Sequence, residues 1–256
     1  MATTATPWTG QSASKLYLQS GQFTSTLKTS QAIGTIDTVN RGISWDGTDT
    51  PWTGGQASKL YLQSGQFTST LKTSRVIGGI DTNTRGISWD DTDTPWVGQE
   101  ADKLYLQSGQ FTSTLKTSQA IGGIDVSPED ISWDATNTPW IGLSADKLYL
   151  QSGQFTSTLK TSEAIGGIET VPTGISWDGT DTPWVGAADD KLYLQSGQFT
   201  STLKTSRVIG GIDAIPLGID TDDVNSRLGV DVGGQPFRMR GMMIPHYAGG
   251  RFGRVA

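Results

Sequence analysis

Five tryptophans and five tyrosines recur in one order along the chain: Trp8 with Tyr17, Trp52 with Tyr61, Trp96 with Tyr105, Trp140 with Tyr149, and Trp184 with Tyr193. Flat aromatic faces stack on sugar rings, and the same rings fill protein interiors, each burying roughly 150–250 Å². Both uses are open at this stage: five ligand-binding platforms, or five packing pairs between structural units. A second recurrent group is acidic. Asp46-Gly47-Thr48-Asp49-Thr50 and its copies crowd side-chain oxygens together. A calcium loop needs oxygens at alternate positions and a distal bidentate Glu. The second copy reads Asp90-Asp91-Thr92-Asp93, the third Asp134-Ala135-Thr136-Asn137, and none carries that Glu. These segments read instead as turns capped by their own side chains, so no metal site and no cofactor is assigned. Nucleophilic catalysis lacks its base, because the single histidine, His246, lies outside the repeated body. The chain does not read as an enzyme.

The elements that hold these residues follow from a repeat. Leu-Tyr-Leu-Gln-Ser-Gly-Gln-Phe-Thr-Ser-Thr-Leu-Lys-Thr-Ser begins without change at Leu16, Leu60, Leu104, Leu148 and Leu192, a constant period of 44 residues. A period in the forties, with short Thr- and aromatic-rich segments between Gly turns, indicates four-stranded propeller blades. In the copy from Gly86 to Glu129, strands are expected at Gly86–Asp90, Pro95–Gly98, Lys103–Gln107 and Phe111–Lys116. Asp91–Thr94 forms a turn, Gln99–Asp102 a loop and Ser108-Gly109-Gln110 a hairpin. Lys116 and the Thr residues suit an outer edge that must not recruit another sheet.

The repeats are out of frame with the ends. The chain enters at the second strand of a blade, Thr6-Pro7-Trp8, and Pro216-Leu217-Gly218-Ile219-Asp220 repeats the first-strand pattern near the other end. Residues 216–222 are therefore expected to complete the sheet begun by residues 5–30, closing a ring without a free edge. The expected fold is an all-β, five-bladed β-propeller closed by a C-terminal strand and followed by an extended C-terminal arm. Residues 1–223 form the propeller and 224–256 the arm.

Differences between copies gather in two places. One is the loop Gln11–Ser14 and its equivalents, and the other runs from Gln31 to Arg41 and its equivalents. In a four-stranded blade the connections after strands two and four emerge at the same end. One end of the propeller thus varies while the other, with its Ser-Gly-Gln turns, stays nearly constant. A partner without five-fold symmetry would account for this, and so would drift after duplication.

Charge divides the chain. Residues 1–223 carry −10 and residues 224–256 carry +4. An acidic body argues against nucleic acid as a partner, since phosphate binding needs basic surface. No apolar run approaches the roughly 20 residues of a bilayer span, so membrane insertion is not expected. There is no cysteine, which excludes disulfides and thiolate metal sites. The first residues lack a basic stretch followed by an apolar one, which points to synthesis in a cytoplasm. In the arm, Phe237, Met239 and Gly241 alternate with Arg238 and Arg240, as in a strand laid on a partner's edge. Met242, Met243, Ile244, His246, Tyr247, Arg251 and Phe252 complete the candidate docking surface. Methionines there suit grooves of varied shape.

The pair Trp45-Asp46 and its copies invite comparison with Trp-Asp-repeat propellers, but the Gly-His pair of those blades is missing. Gly-Ile-Ser-Trp-Asp-Gly-Thr…Pro-Trp-x-Gly…Lys-Leu-Tyr resembles instead the blades of NHL-type and gluconolactonase-like propellers. The near-identical copies over residues 5–220 also resemble repeat-rich propeller proteins of tailed bacteriophages. That resemblance implies a virion structural protein made in the host cytoplasm. Residues 224–256 would anchor it to neighbouring virion subunits, and the propeller would be displayed as tail or capsid decoration touching host surface glycans. The alternative is a soluble multivalent lectin with sugars at the repeated aromatics.

Overall fold

The computed structural model describes residues 5–20, 27–65, 70–109, 114–153, 158–197 and 202–221. They form five four-stranded antiparallel sheets. Blade I holds β1 (Ala5–Gly10), β2 (Lys15–Ser20) and β3 (Leu27–Ala32). Blade II is β4 (Asn40–Ile43), β5 (Asp49–Gly54), β6 (Lys59–Ser64) and β7 (Leu71–Val76). Blade III is β8 (Thr84–Ile87), β9 (Asp93–Gly98), β10 (Lys103–Ser108) and β11 (Leu115–Ala120). Blade IV is β12 (Pro128–Ile131), β13 (Asn137–Gly142), β14 (Lys147–Ser152) and β15 (Leu159–Ala164). Blade V is β16 (Pro172–Ile175), β17 (Asp181–Gly186), β18 (Lys191–Ser196) and β19 (Leu203–Val208). The last strand, β20 (Pro216–Ile219), pairs with β1, setting Ile219 opposite Trp8. Asp220 N also donates to Pro7 O at 2.8 Å and Gln11 N to Ile215 O at 2.9 Å.

Each second strand carries a proline that cannot donate to the ladder. Pro51 O accepts from Ser44 N (2.8 Å), just past the end of β4. Its missing N–H therefore faces the inner side where regular pairing has stopped, which is where a strand tolerates proline. The outer strands alternate exposed and half-buried positions, as single-faced edges do.

The core is not central but lies between blades. Five clusters fill the five interfaces. In one, Leu16, Leu18 and Ile33 of blade I pack against Ile43, Trp52 and Tyr61 of blade II. Equivalent sets join II to III, III to IV, and IV to V. The fifth sets Val185, Leu192, Leu194 and Ile209 of blade V against Trp8, Tyr17 and Ile219 of blade I. At the axis the inner strands are so close that a Cβ on Gly42 would lie 2.6 Å from Gly86 Cα. Glycine is required there by proximity rather than by dihedral freedom.

Two sequence expectations need correction. The fourth strand of blade III is described from Leu115 to Ala120, past the expected end at Lys116, and the expected start at Phe111 lies outside the described residues. Ser108 N donates to Thr114 O at 3.2 Å, and Gln110 of the expected Ser-Gly-Gln hairpin lies outside the described residues. The first strand ends at Ile87 rather than Asp90. Beyond it, Ser88 N and Asp90 N still bond to Pro95 O and Asp93 O, but without ladder register.

Candidate axial binding site

The structure assigns the recurrent aromatics to packing. Trp8, Trp52, Trp96, Trp140 and Trp184 are each 0% exposed, and their tyrosine partners are 2–3% exposed. Within each pair the rings stack with centroids 4.1–4.2 Å apart and planes within 16°. Rings covered on both sides offer no platform, so Trp8, Trp52, Trp96, Trp140, Trp184 and their tyrosine partners do not fit the sugar-binding use. The pairing follows from register, because Trp52 and Tyr61 stand directly opposite on β5 and β6.

The tyrosine hydroxyls lead to a feature that sequence reasoning missed. Tyr61 donates to Asp37 Oδ2 at 3.3 Å, across the joint between blades I and II. The same carboxylate accepts from Val39 N (2.9 Å), Gln56 N (3.3 Å) and Ala57 N (3.2 Å). Asp81, Asp125, Glu169 and Asp213 serve the next four joints; Asp213 accepts from Ser12 N, Ala13 N and Tyr17 Oη. Gly54 makes room, since a Cβ there would sit 2.2 Å from Asp37 Oδ2. Burial, and then the adjacent carboxylate, push the tyrosine hydroxyls up, Tyr105 to about 12. These clasps tie the two variable loops together, so both emerge at one end of the ring.

At that end, the inner strands present one residue each around the axis: Arg41, Arg85, Glu129, Thr173 and Leu217 in blades II, III, IV, V and I. Arg85 Nη1 lies 3.3 Å from Glu129 Oε2, and Arg85 Nε donates to Gln99 Oε1 at 3.0 Å. Gln99 Nε2 in turn donates to Glu129 Oε1 at 2.8 Å. Burial, and then the guanidinium of Arg85, lower Arg41 to about 10. Burial raises Glu129, against the pull of both arginines.

One level deeper, Asp130 stands in the column of axial glycines. It is 1% exposed, and its Oδ2 accepts from Ile175 N at 3.0 Å. Burial holds its carboxyl well above the usual range, opposed by backbone N–H donors. Towards the far end, Asp220 Oδ1 accepts from Ser176 Oγ at 2.8 Å, and its Oδ2 accepts from Trp45 N at 2.5 Å. There the Asp-rich turns behave as capped turns: Asp46 Oδ1 accepts from Thr48 N at 2.8 Å and Asp90 Oδ1 from Thr92 N at 2.9 Å. Among the described residues no cluster of three or more His, Cys, Asp or Glu is arranged to hold a metal.

Sequence reasoning placed Arg41 in a variable segment without seeing its neighbours across the axis. The signal was available: read at the 44-residue period, the column Arg41, Arg85, Glu129, Thr173, Leu217 changes charge and polarity just ahead of an invariant Ile two residues on. The candidate docking residues Phe237, Arg238, Met239, Arg240, Met242, Met243, Ile244, His246, Tyr247, Arg251 and Phe252 lie outside the described residues.

No protein-family model matches the chain, and no curated protein does. Solved structures match in fold. The crystal structure of a nidogen/laminin complex aligns with a TM-score of 0.58 and 12% identity, over 87% of this chain and 86% of that one. A streptogramin B lyase aligns at 0.51 and 13% identity, over 85% and 73%. A protein of unknown function from Bacteroides caccae aligns at 0.52 and 7% identity, over 82% and 74%. At such identities the likeness extends to the fold alone.

Proposed function

We propose that this protein is a non-catalytic propeller of a phage particle. Residues 224–256 anchor it to a neighbouring virion subunit, and the varied end of the ring faces outward toward host surface glycans. The observation supporting a recognition role is the division of labour among its residues. The five stacked Trp–Tyr pairs and the leucines and isoleucines that face them are consumed by the joints between blades. Residues that differ gather where the variable loops and the axial column meet. A surface whose five sectors differ suits a partner that is not itself five-fold symmetric. β20 acts in this reading as the latch of the ring, leaving the chain beyond it to serve as the arm. The aromatic-pocket lectin is the weaker reading, because those rings are buried. Deletion of residues 224–256 tests the anchoring: the deleted protein is expected to fold and to be absent from purified particles. Its presence there at parental copy number sinks the proposal.

A further inference from the structure

Arg41 and Arg85 hold equivalent places on adjacent blades, yet their surroundings are unequal. Arg85 has an acid, Glu129, on the next blade and an amide, Gln99, bridging the two. One blade earlier, the place of Glu129 is taken by Arg85 itself, and the place of Gln99 by Gly55. Arg41 therefore makes neither of these contacts, although Glu129 attracts it electrostatically without forming an ion pair. Among the described residues no ion pair includes Arg41. Its Nε is buried without a hydrogen-bond partner. The notch left by the missing side chain lies against that nitrogen, since a Cβ on Gly55 would be 3.1 Å from it. Asp37 also acts on Arg41 electrostatically, but its oxygens are committed to three backbone N–H groups and Tyr61. A buried, unpaired guanidinium nitrogen is costly, and two guanidiniums side by side repel.

We propose that the mouth of the axis binds a small oxyanion, the carboxylate or phosphate group of a ligand, between Arg41 and Arg85 at the Gly55 notch. The bound oxygens take the part played one blade on by the Glu129 carboxylate. Guanidinium groups suit this because their fixed donors match the spacing of carboxylate and phosphate oxygens. Val39 Cγ1, which would also lie 3.1 Å from a Cβ on Gly55, supplies an apolar wall for the body of the ligand. The site sharpens the recognition reading by naming a ligand class for the varied end, yet it stands on contacts within the ring.

The test is a titration of the full chain, observed through the Arg Nε–H resonances, with glucuronate, glucose 1-phosphate and neutral glucose. A saturable shift of the Arg41 signal is expected with one or both anionic sugars and none with glucose. Response to glucuronate alone assigns carboxylates, and response to glucose 1-phosphate alone assigns phosphates. Arg41→Gln is expected to weaken binding about tenfold or more, the scale of a lost charged hydrogen bond. Gly55→Gln, which fills the notch with the residue that Gln11 and Gln99 already place in sister turns, is expected to do the same while melting like the parent. No shift with either anion, or parental affinity in both variants, overturns the site. Binding by a protein that fails to enter particles would keep the site and reject the attachment role; the converse would do the reverse.

Discussion

Between blades the same Trp–Tyr pair meets the same leucines and isoleucines five times, with one neighbouring place passing from Thr53 to Val97 and Ile141, whereas along the axis the steps differ in charge. Trp52 stacks on Tyr61 as Trp140 stacks on Tyr149, with centroids 4.2 and 4.1 Å apart. In the axial column, by contrast, a glycine becomes Asp130, a serine place becomes Asp220, and the mouth passes from two arginines to a leucine. Packing tolerates little change of volume, so the ring pairs stay uniform and their neighbours change only among Thr, Val and Ile. The axis carries individual contacts and admits change. Copies that are near-identical in sequence thus build a ring with a single, orientable mouth.

The largest expected effect tests the uniformity of the joints. Trp52→Ala removes a fully buried ring and is expected to cost about 3–5 kcal/mol. Trp96→Ala and Trp140→Ala should cost the same within experimental error in urea melts. A spread as large as the mean would mean that the joints are not equivalent.

Next comes the axis. With the folded carboxyl of Asp130 raised, the folded state binds a proton that the unfolded chain releases near pH 4. Stability from this group is present in full below that pH and falls as pH rises toward the elevated folded value, by at most about 1.4 kcal/mol per pH unit. Glu129, Asp102 and Asp190, also raised, act in the same direction. Asp130→Asn keeps the shape and the acceptor for Ile175 N, and is expected to flatten the pH dependence and raise the melting temperature at neutral pH. An unchanged pH profile would remove Asp130 from this role.

The smallest effect concerns one copy of a turn. Gly47 and Gly179 take φ of 92° and 89°, but blade IV has Ala135 at 72° in the same place. A left-handed alanine costs roughly 1–2 kcal/mol, so Ala135→Gly should stabilise the chain by about 1 kcal/mol, measured by thermal melting. Destabilisation would show that the alanine makes a contact worth more than its strain.

The architecture was legible because a constant 44-residue period leaves little freedom in how the blades stack. The end of the outer strand was placed too early because Thr117–Ala120 carries no clear apolar alternation; pairing of Thr117 with Leu106 and of Ala120 with Lys103 decided it. The aromatics stayed ambiguous because stacking on a sugar and stacking on a neighbour call for the same residues. The clasp carboxylates and the axial mouth were hidden for another reason. Asp213 and Ser12 are distant in sequence and meet because the ring returns on itself.

The pairing of β20 with β1 has a consequence for biosynthesis. The inner edge of β1 leaves the ribosome some two hundred residues before β20, the strand that pairs with it. Sister blades made in the meantime offer inner strands of the same length, each ending in Ile. The nascent chain therefore carries an open β edge amid four strands of the same length as its proper mate, and proofreading falls to what sets Leu217 and Asp220 apart from their counterparts.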